Sequence, residues 1–249
     1  MNQNELNNAL HDSAKNGCLE DVQQLLDCGA DVDAWDDIAL RVSAYNGHVE
    51  VVRLLLNCGA YVHAQSNDAL LFSAANGHAE VVKLLLEHGA DVHVGGNYEL
   101  RWSAEKGHAD VVRLLLDHGA DIHAQDDYAL RKSAENGHVD IVKLLLDRGA
   151  NVHARNDYAL RWSVRTGHVD VVVLLLDHGA DVHAQDDGAL LWSAAYGYHD
   201  IMQLLLDHGA DVHVLNKIAL SAKVKQLILD GDIVFFPKYI NKTTAADRE

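Results

Sequence analysis

The sequence lacks the features that mark a membrane-spanning, secreted or nucleic-acid-binding protein. No stretch of its 249 residues approaches the run of about 18 apolar residues that predicts a membrane span. The first residues have neither the positive nor the apolar region of a secretory signal. Basic side chains number 20 against 37 acidic ones, a formal charge of −17, whereas binding to phosphate backbones or anionic membranes needs clustered Lys and Arg. We therefore expect a cytoplasmic protein that binds neither nucleic acid nor membranes.

Cysteine and proline are scarce as well, whereas histidine is abundant. The three Cys residues include no Cys-x-x-Cys pair, and unpaired Cys fits a reducing compartment. The single proline is Pro237. The 17 His residues raise the question of a metal site or a pH response.

Glycine shows how the chain is organised. A Gly-Ala pair recurs every 30 residues from Gly29 to Gly209, and a second glycine series runs at the same spacing from Gly17 to Gly197. One unit, residues 127–156, has the sequence DYALRKSAENGHVDIVKLLLDRGANVHARN. Seven such units fill residues 7–216, and chance does not hold two glycine series in register seven times.

Each unit has the pattern helix, turn, helix, connector. Asp127 stands where the N-cap of a first helix belongs, and this helix is expected to end at Gly137. A second helix is predicted from Val139 to Arg148, with Gly149 after it and an extended connector at 150–153. The N-cap position of the other units holds Asp37, Asn67, Asn97, Asp157 and Asp187. A lone unit cannot bury its apolar stripes but stacked units can, so the pattern predicts a solenoid.

The strings ENGHVDIVKLLLDRGANVHA and ANGHAEVVKLLLEHGADVHV resemble the second half of the ankyrin repeat. The resemblance covers residues 7–216, and the repeats are also similar in style to ankyrin arrays of giant DNA viruses of amoebae. It implies an all-α, ankyrin-type solenoid of stacked helix-turn-helix repeats with short extended finger loops. It further implies a concave protein-binding face and no chemistry of its own, so that no catalytic residue, cofactor or metal is expected.

The sequence departs from the ankyrin pattern in two respects. Its period is three residues shorter than the ankyrin period of about 33, and Tyr128-Ala-Leu-Arg131 replaces the motif Thr-Pro-Leu-His. The only proline lies outside the array, so every Thr-Pro step is missing. We expect blunter fingers and a shallower groove, with the Asp-type N-caps replacing the lost Thr-to-His hydrogen bond.

The pattern divides the chain into three regions. Residues 1–216 hold the seven repeats, of which the first is an N-terminal cap. Residues 217–231 form a degenerate repeat that suits a C-terminal cap, which solenoids need for solubility. Residues 232–249 comprise an apolar segment, Ile233–Ile240, and a polar tail.

Fifteen of the histidines fall into three series that each recur once per repeat. Members of a series lie about 10 Å apart if helices pack at the usual distance, too far for two ligands of one ion. We therefore predict structural histidines and no metal site, and the same spacing of about 10 Å exceeds the Cα separation of under about 7 Å that a Cys28–Cys58 disulfide would need. One series occupies the Gly-His turn (His48, His78, His108, His138, His168), a second the connector (His63, His93, His123, His153, His183, His213), and a third the helix end before Gly-Ala (His88, His118, His178, His208).

The candidate binding residues lie at first-helix positions that vary between units while their neighbours do not. Tyr, Arg and Trp are enriched in binding hot spots, and together they are expected to line the concave face. The predicted partner-binding residues are Tyr98, Arg101, Trp102, Tyr128, Arg131, Tyr158, Arg161, Trp162 and Trp192, here called the aromatic–arginine stripe. Two alternatives stay open: the tryptophans stack between adjacent repeats, or the arginines pair locally with an Asp four residues earlier, such as Asp127 or Asp157.

These observations predict a monomeric, non-catalytic interaction module that binds a protein partner on its concave face. An enzyme is disfavoured, because a catalytic site needs unlike groups that converge in a pocket and this chain repeats the same groups at one spacing. The alternative is a substrate adaptor for a ubiquitin ligase or another host-directed scaffold, with a docking segment after the array.

Overall fold

The structure, a computed structural model, describes residues 1–217, and it is built from repeated pairs of antiparallel helices. The predicted C-terminal cap beyond residue 217, the apolar segment Ile233–Ile240 and the polar tail lie outside the described residues. The first helix of each pair is α1 Gln3–Asn16, α3 Ala34–Asn46, α5 Ala64–Ala75, α7 Tyr98–Lys106, α9 Ala124–Glu135, α11 Ala154–Thr166 and α13 Ala184–Tyr196. The second is α2 Leu19–Asp27, α4 Val49–Asn57, α6 Ala79–Glu87, α8 Ala109–Asp117, α10 Val139–Asp147, α12 Val169–Asp177 and α14 His199–Asp207. A short α15, Val214–Lys217, follows, and a 3₁₀ turn, Val94–Gly96, precedes α7.

Both helices of a pair end where the two glycine series predict. In the second unit Gly47 is left-handed, with φ 78°, and its N–H donates to Ala44 while the N–H of His48 donates to Ser43. This Schellman arrangement satisfies carbonyl groups that the helix end leaves open, and a residue with a Cβ enters that backbone region only at a cost. The 30-residue period of glycine therefore fixes the period of the helices.

The core is a continuous row of aliphatic side chains that passes from one unit to the next. In α10, Val142 and Leu145 are completely buried, and the expected polar face of Asp140, Lys143 and Asp147 is exposed. Each fully buried Val or Leu contributes about 1.5–3 kcal/mol relative to an exposed one. The apolar stripe of every second helix is covered only because a neighbouring unit lies against it, as the solenoid prediction requires.

The two helix layers differ in how closely they pack. Small residues such as Ser133 and Ala134 are fully buried on the first helices, and they allow these helices to approach their neighbours. Contacts between consecutive first helices are denser than those between consecutive second helices. The first helices therefore form the inner layer of the curved stack, which is the concave side.

The finger of each unit is reduced to a left-handed backbone turn. At the start of α9, Gln125, Asp126 and Asp127 have φ values of 55°, 56° and 54°, so the regular helix begins only after Asp127, and the corresponding residues before the other first helices from α3 to α13 behave in the same way. No strand occurs in residues 1–217, and the predicted extended connector is a tight turn. A left-handed conformation costs about 1–2 kcal/mol per residue with a Cβ, so other contacts must hold this turn in place.

The buried Asp and Asn side chains at the end of this turn supply one such contact, and their predicted N-cap role is wrong. Asp127 is buried, and its Oδ1 accepts the backbone N–H of Asn151 at 2.8 Å instead of an N–H of the helix that follows. Asn97 directly precedes α7 and also makes no capping hydrogen bond. The same link joins Asn7 to Asp31, Asp37 to Tyr61, Asn67 to Asp91, Asn97 to Asp121, Asp157 to Asp181, and Asp187 to Asp211. Each unit is thus closed on itself by one side chain.

A membrane span is not found in the part of the chain that the structure describes: none of its helices is both long and apolar enough to cross a bilayer.

Candidate protein-binding surface

The histidines of the Gly-His turn join neighbouring units. Nε2 of His138 lies 2.9 Å from the carbonyl oxygen of Glu105 in the preceding unit, and since a carbonyl only accepts, Nε2 carries the proton. The ring also lies directly over Gly107 of that unit. Four further residues of the series repeat the hydrogen bond: His48, His78, His108 and His168. Burial lowers the pKa of His108, consistent with a neutral structural ring.

Most histidine rings of the other two series also make local hydrogen bonds. Nδ1 of His123 lies 3.1 Å from the buried carboxylate of Asp127, and His153 and His183 make the same contact with Asp157 and Asp187. At the ends of the second helices, Nδ1 of His118 lies 2.8 Å from the carbonyl oxygen of Leu114, which it caps. Within residues 1–217, no group of three His, Cys, Asp or Glu could hold a metal ion, and Cys18, Cys28 and Cys58 are free and exposed.

The Tyr and Arg residues of the aromatic–arginine stripe alternate along the first helices of the fourth to sixth units. The guanidinium carbon of Arg101 lies 4.8 Å from the ring centre of Tyr98 and 4.6 Å from that of Tyr128. Arg131 in turn lies 5.5 Å from Tyr128 and 5.2 Å from Tyr158. Each guanidinium therefore joins an aromatic ring of its own unit to one of the next by cation–π contact.

The tryptophans continue this series toward the C-terminal end. Trp162 stacks on Tyr158 at 5.2 Å and meets Trp192 edge-on at 6.0 Å. Arg165 lies over both indoles, at 4.3 Å from Trp162 and 5.3 Å from Trp192. Seven side chains from four consecutive units thereby form one unbroken row, from Tyr98 to Trp192.

Carboxylates of the preceding unit fix the tyrosine hydroxyls. Tyr128 donates to Glu105 at 2.7 Å and Tyr158 donates to Glu135 at 3.0 Å. Burial raises the pKa of both hydroxyls, and the hydrogen bond to the carboxylate raises it further. The phenol rings are therefore held in one orientation before any partner arrives.

Two stripe residues are well exposed, whereas Arg131 is not. Tyr98 and Trp102 are 44% and 47% exposed, although both side chains are largely apolar. Arg131, predicted on the exposed arc, is only 7% exposed, because its donors reach back into the unit, and burial lowers its pKa. The six remaining stripe residues are of intermediate exposure: Arg101, Tyr128, Tyr158, Arg161, Trp162 and Trp192.

The local Asp–Arg ion pairs considered as an alternative are wrong. Nε and one Nη of Arg131 donate at 2.8 Å to the carbonyl oxygens of Asp126 and Gln125, and Arg161 makes the same two contacts with its own turn. The left-handed turn leaves these carbonyls free, and the fork of the guanidinium matches them. Arg41 pairs instead with Asp68 of the next unit, at 2.9 Å.

Comparison with protein-family models decides the family. The model described as "Ankyrin repeats (3 copies)" matches residues 10–96, 40–126, 100–186 and 130–216, which together cover most of the chain. The chain belongs to the ankyrin-repeat family. The human ASB11 ankyrin repeat domain is similar in structure, with a TM-score of 0.72 and 27% sequence identity over 81% of this chain and 98% of that one. No curated protein matches the chain.

Ankyrin repeats are protein–protein interaction modules, and the ankyrin array here offers two depressions of note. One of about 350 Å³ lies on the stripe between Trp102, Glu105, Lys106 and Tyr128. A larger one, of about 550 Å³, lies between α2 and α4 on the outer layer, with Glu20, Asp27, Glu50 and Arg53 among its lining residues. Only the first combines aromatic walls with the residues predicted to bind a partner.

Four residues outside the predicted set complete the aromatic–arginine stripe. Arg165 and Lys106 place cations over Trp162 and Trp102, and Glu105 and Glu135 orient the tyrosines. The signal was present, because the position shared by Glu105, Glu135 and Arg165 also varies between units, with Tyr45, Ala75 and Ala195 elsewhere. It lies one helical turn beyond the tryptophan position, so it faces the same side.

Proposed function

We propose that this ankyrin array is a non-catalytic interaction module that binds a protein partner along the aromatic–arginine stripe on its concave face. The observation that carries the proposal is the row of cation–π and ring–ring contacts that crosses four units on the inner layer. Large aromatic side chains provide much contact area with few rotatable bonds, which makes them good anchors at interfaces.

The row supports binding because it is both fixed and accessible. Packing between repeats alone would account for rings that are buried, yet Tyr98 and Trp102 keep almost half of their surface exposed. The rings farther along the row are held by neighbours and hydroxyl hydrogen bonds, so their side-chain entropy is already lost in the free protein. A partner would gain the contact area without the cost of ordering these groups.

The test is affinity capture with the wild type and with a Trp102→Ala, Trp162→Ala, Trp192→Ala variant that keeps its far-UV circular dichroism. Loss of the bound partners supports the proposal, because truncation of a central aromatic anchor costs more than about 1 kcal/mol. The control changes Trp35 and Tyr61 to Ala, which are at least as exposed as Trp102 but lie outside the stripe. Identical partners on all three proteins would refute the concave site.

The alternative function, that of a substrate adaptor for a ubiquitin ligase, stays a prediction. Its docking segment would fall within residues 232–249, which lie outside the described residues. Deletion of these residues separates the two functions, since an adaptor would lose ligase recruitment and keep its partner.

A further inference from the structure

Basic residues are clustered on the middle first helices, whereas acidic residues outnumber basic ones on the second helices. Each second helix has an acidic residue in its first turn: Glu20, Glu50, Glu80, Asp110, Asp140, Asp170 and Asp200. The stripe and its immediate surroundings instead carry the cations of α7, α9 and α11. Although the chain has a net charge of −17, seven of its 20 basic residues lie on these three helices, which carry most of the aromatic row.

Most of these cations have no carboxylate partner. Within residues 1–217, Lys132 pairs with Glu135 at 2.8 Å, but no ion pair is formed by Arg101, Lys106 or Arg165. Each of these three lies over aromatic rings, and the buried Nε of Arg101 has no hydrogen-bond partner among the described residues. Their charge is thus held in place but not neutralised.

We infer that the stripe recognises an acidic protein segment, whose Asp or Glu side chains pair with Arg101, Lys106 and Arg165 while its apolar side chains contact Tyr98 and Trp102. This inference rests on the proposed function and names the chemistry of its partner. A guanidinium fixed by ring contacts presents a planar set of donors that matches a carboxylate in two-point hydrogen bonds. A basic segment would meet like charges along the whole row.

The overall acidity of the chain does not prevent this pairing. At physiological ionic strength the Debye length is about 8 Å, so the exposed carboxylates of the second helices are largely screened from a segment that lies on the first helices. The depression between Trp102, Glu105, Lys106 and Tyr128 gives one side chain of such a segment a place to enter. Glu105 keeps its negative charge while it accepts the hydroxyl of Tyr128, so the side chain that enters the depression is an apolar one.

The experiment selects a phage-displayed library of random peptides on the intact protein and compares three forms. The stripe variant is Arg101→Gln, Lys106→Gln, Arg165→Gln, and the control removes the same charge from the second helices with Arg53→Gln, Lys83→Gln, Arg113→Gln. A double variant, Lys106→Gln, Arg165→Gln, changes only exposed side chains and covers the case in which loss of Arg101 disturbs folding. Affinities of selected peptides are then measured by fluorescence anisotropy.

We expect the wild type and the control to select peptides of net negative charge. Their affinity should fall about tenfold or more in the stripe variant, the effect of losing one good charge-assisted pair. Selection of neutral or basic peptides overturns the inferred preference for acidic segments. If the Trp102, Trp162, Trp192 variant does not bind those peptides, the proposed binding site on the concave face is still supported. Absence of any stripe-dependent peptide also overturns the inference. A stripe-dependent preference for a single-stranded oligothymidine probe over the acidic peptides would overturn it in favour of nucleic acid, whose bases also stack on aromatic rings.

Discussion

Replacement of Glu99 by Ala should stabilise the protein at neutral and alkaline pH. Glu99 stands in α7 where the other units have Ala39, Ala69, Ala129 and their equivalents, and like them it is almost completely buried, at 2% exposure. Its Oε2 has no hydrogen-bond partner among the described residues. This burial is costly, because the ionised carboxylate loses hydration that its one backbone hydrogen bond does not replace.

The size of the effect follows from the pKa. Burial, with a smaller contribution from Asp91, raises the pKa of Glu99 from 4.5 to about 7. The folded state therefore binds the proton more tightly than the unfolded state, so stability falls as the pH rises from about 4.5 to about 7 and is constant above that range. At 1.36 kcal/mol per pH unit the full loss is about 3 kcal/mol. Glu99→Ala removes this penalty but also about one buried methylene, worth about 0.8 kcal/mol, which leaves a net gain of about 2 kcal/mol at pH 8.

The assay is urea unfolding followed by far-UV circular dichroism at pH 5 and pH 8. Between these values the wild type should lose about 2–3 kcal/mol more stability than Glu99→Gln, a variant of the same shape that does not titrate. Comparison with this variant cancels the titration of the 17 His residues. Glu80→Gln, at an exposed position of α6, should behave as the wild type does. If the free energies of unfolding of the wild type and Glu99→Gln differed by the same amount at both pH values, the reasoning would be refuted.

Two further predictions test the contacts that hold the repeats together. Asp157→Ala should cost about 1–3 kcal/mol, because it leaves the N–H of Asp181 without its acceptor, whereas Asp157→Asn should cost less, since Asn fills this position in three other units. Thermal unfolding of both variants measures the difference, and equal losses would contradict it. Gly137→Ala should destabilise more than Gly149→Ala although both glycines have φ near +80° to +90°, because a Cβ at Gly137 would lie 2.6 Å from Nδ1 of His168 and one at Gly149 meets nothing. Each should lose about 1–2 kcal/mol for the backbone alone, and an equal melting temperature for the two would exclude a packing role of the histidine ring.

The fold could be predicted from the sequence because it depends on the 30-residue period of the repeats. Gly137 and Gly149 mark both helix ends, and the burial of Val142 and Leu145 follows from helical spacing once stacking is assumed. The family was evident from the same positions and is confirmed by the matched ankyrin model. Short-range patterns that repeat seven times leave little choice of architecture.

The polar contacts could not be predicted from the sequence, because one residue type can pair with several kinds of partner. An Asp before a helix is usually an N-cap, yet Asp127 accepts from Asn151 instead, 24 residues later in the chain. Arg131 had a plausible partner four residues earlier, but the left-handed turn presents two free carbonyls that its guanidinium fork fits better. That turn could not be foreseen, since three successive residues with positive φ are rare outside glycine.

The third unit has the longest of the hydrogen bonds that close the units, and the fourth unit carries the most exposed part of the stripe. The link from Asn67 to the N–H of Asp91 is 3.5 Å long, against 2.7–2.9 Å in the other units. Gly95 lies in the turn where the other units have larger residues, and Glu99 is buried shortly after this turn. The two most exposed residues of the stripe, Tyr98 and Trp102, lie on the same helix as Glu99. A partner that binds there would cover Tyr98 and Trp102 and, by binding only the folded state, offset part of the cost of the buried carboxyl group.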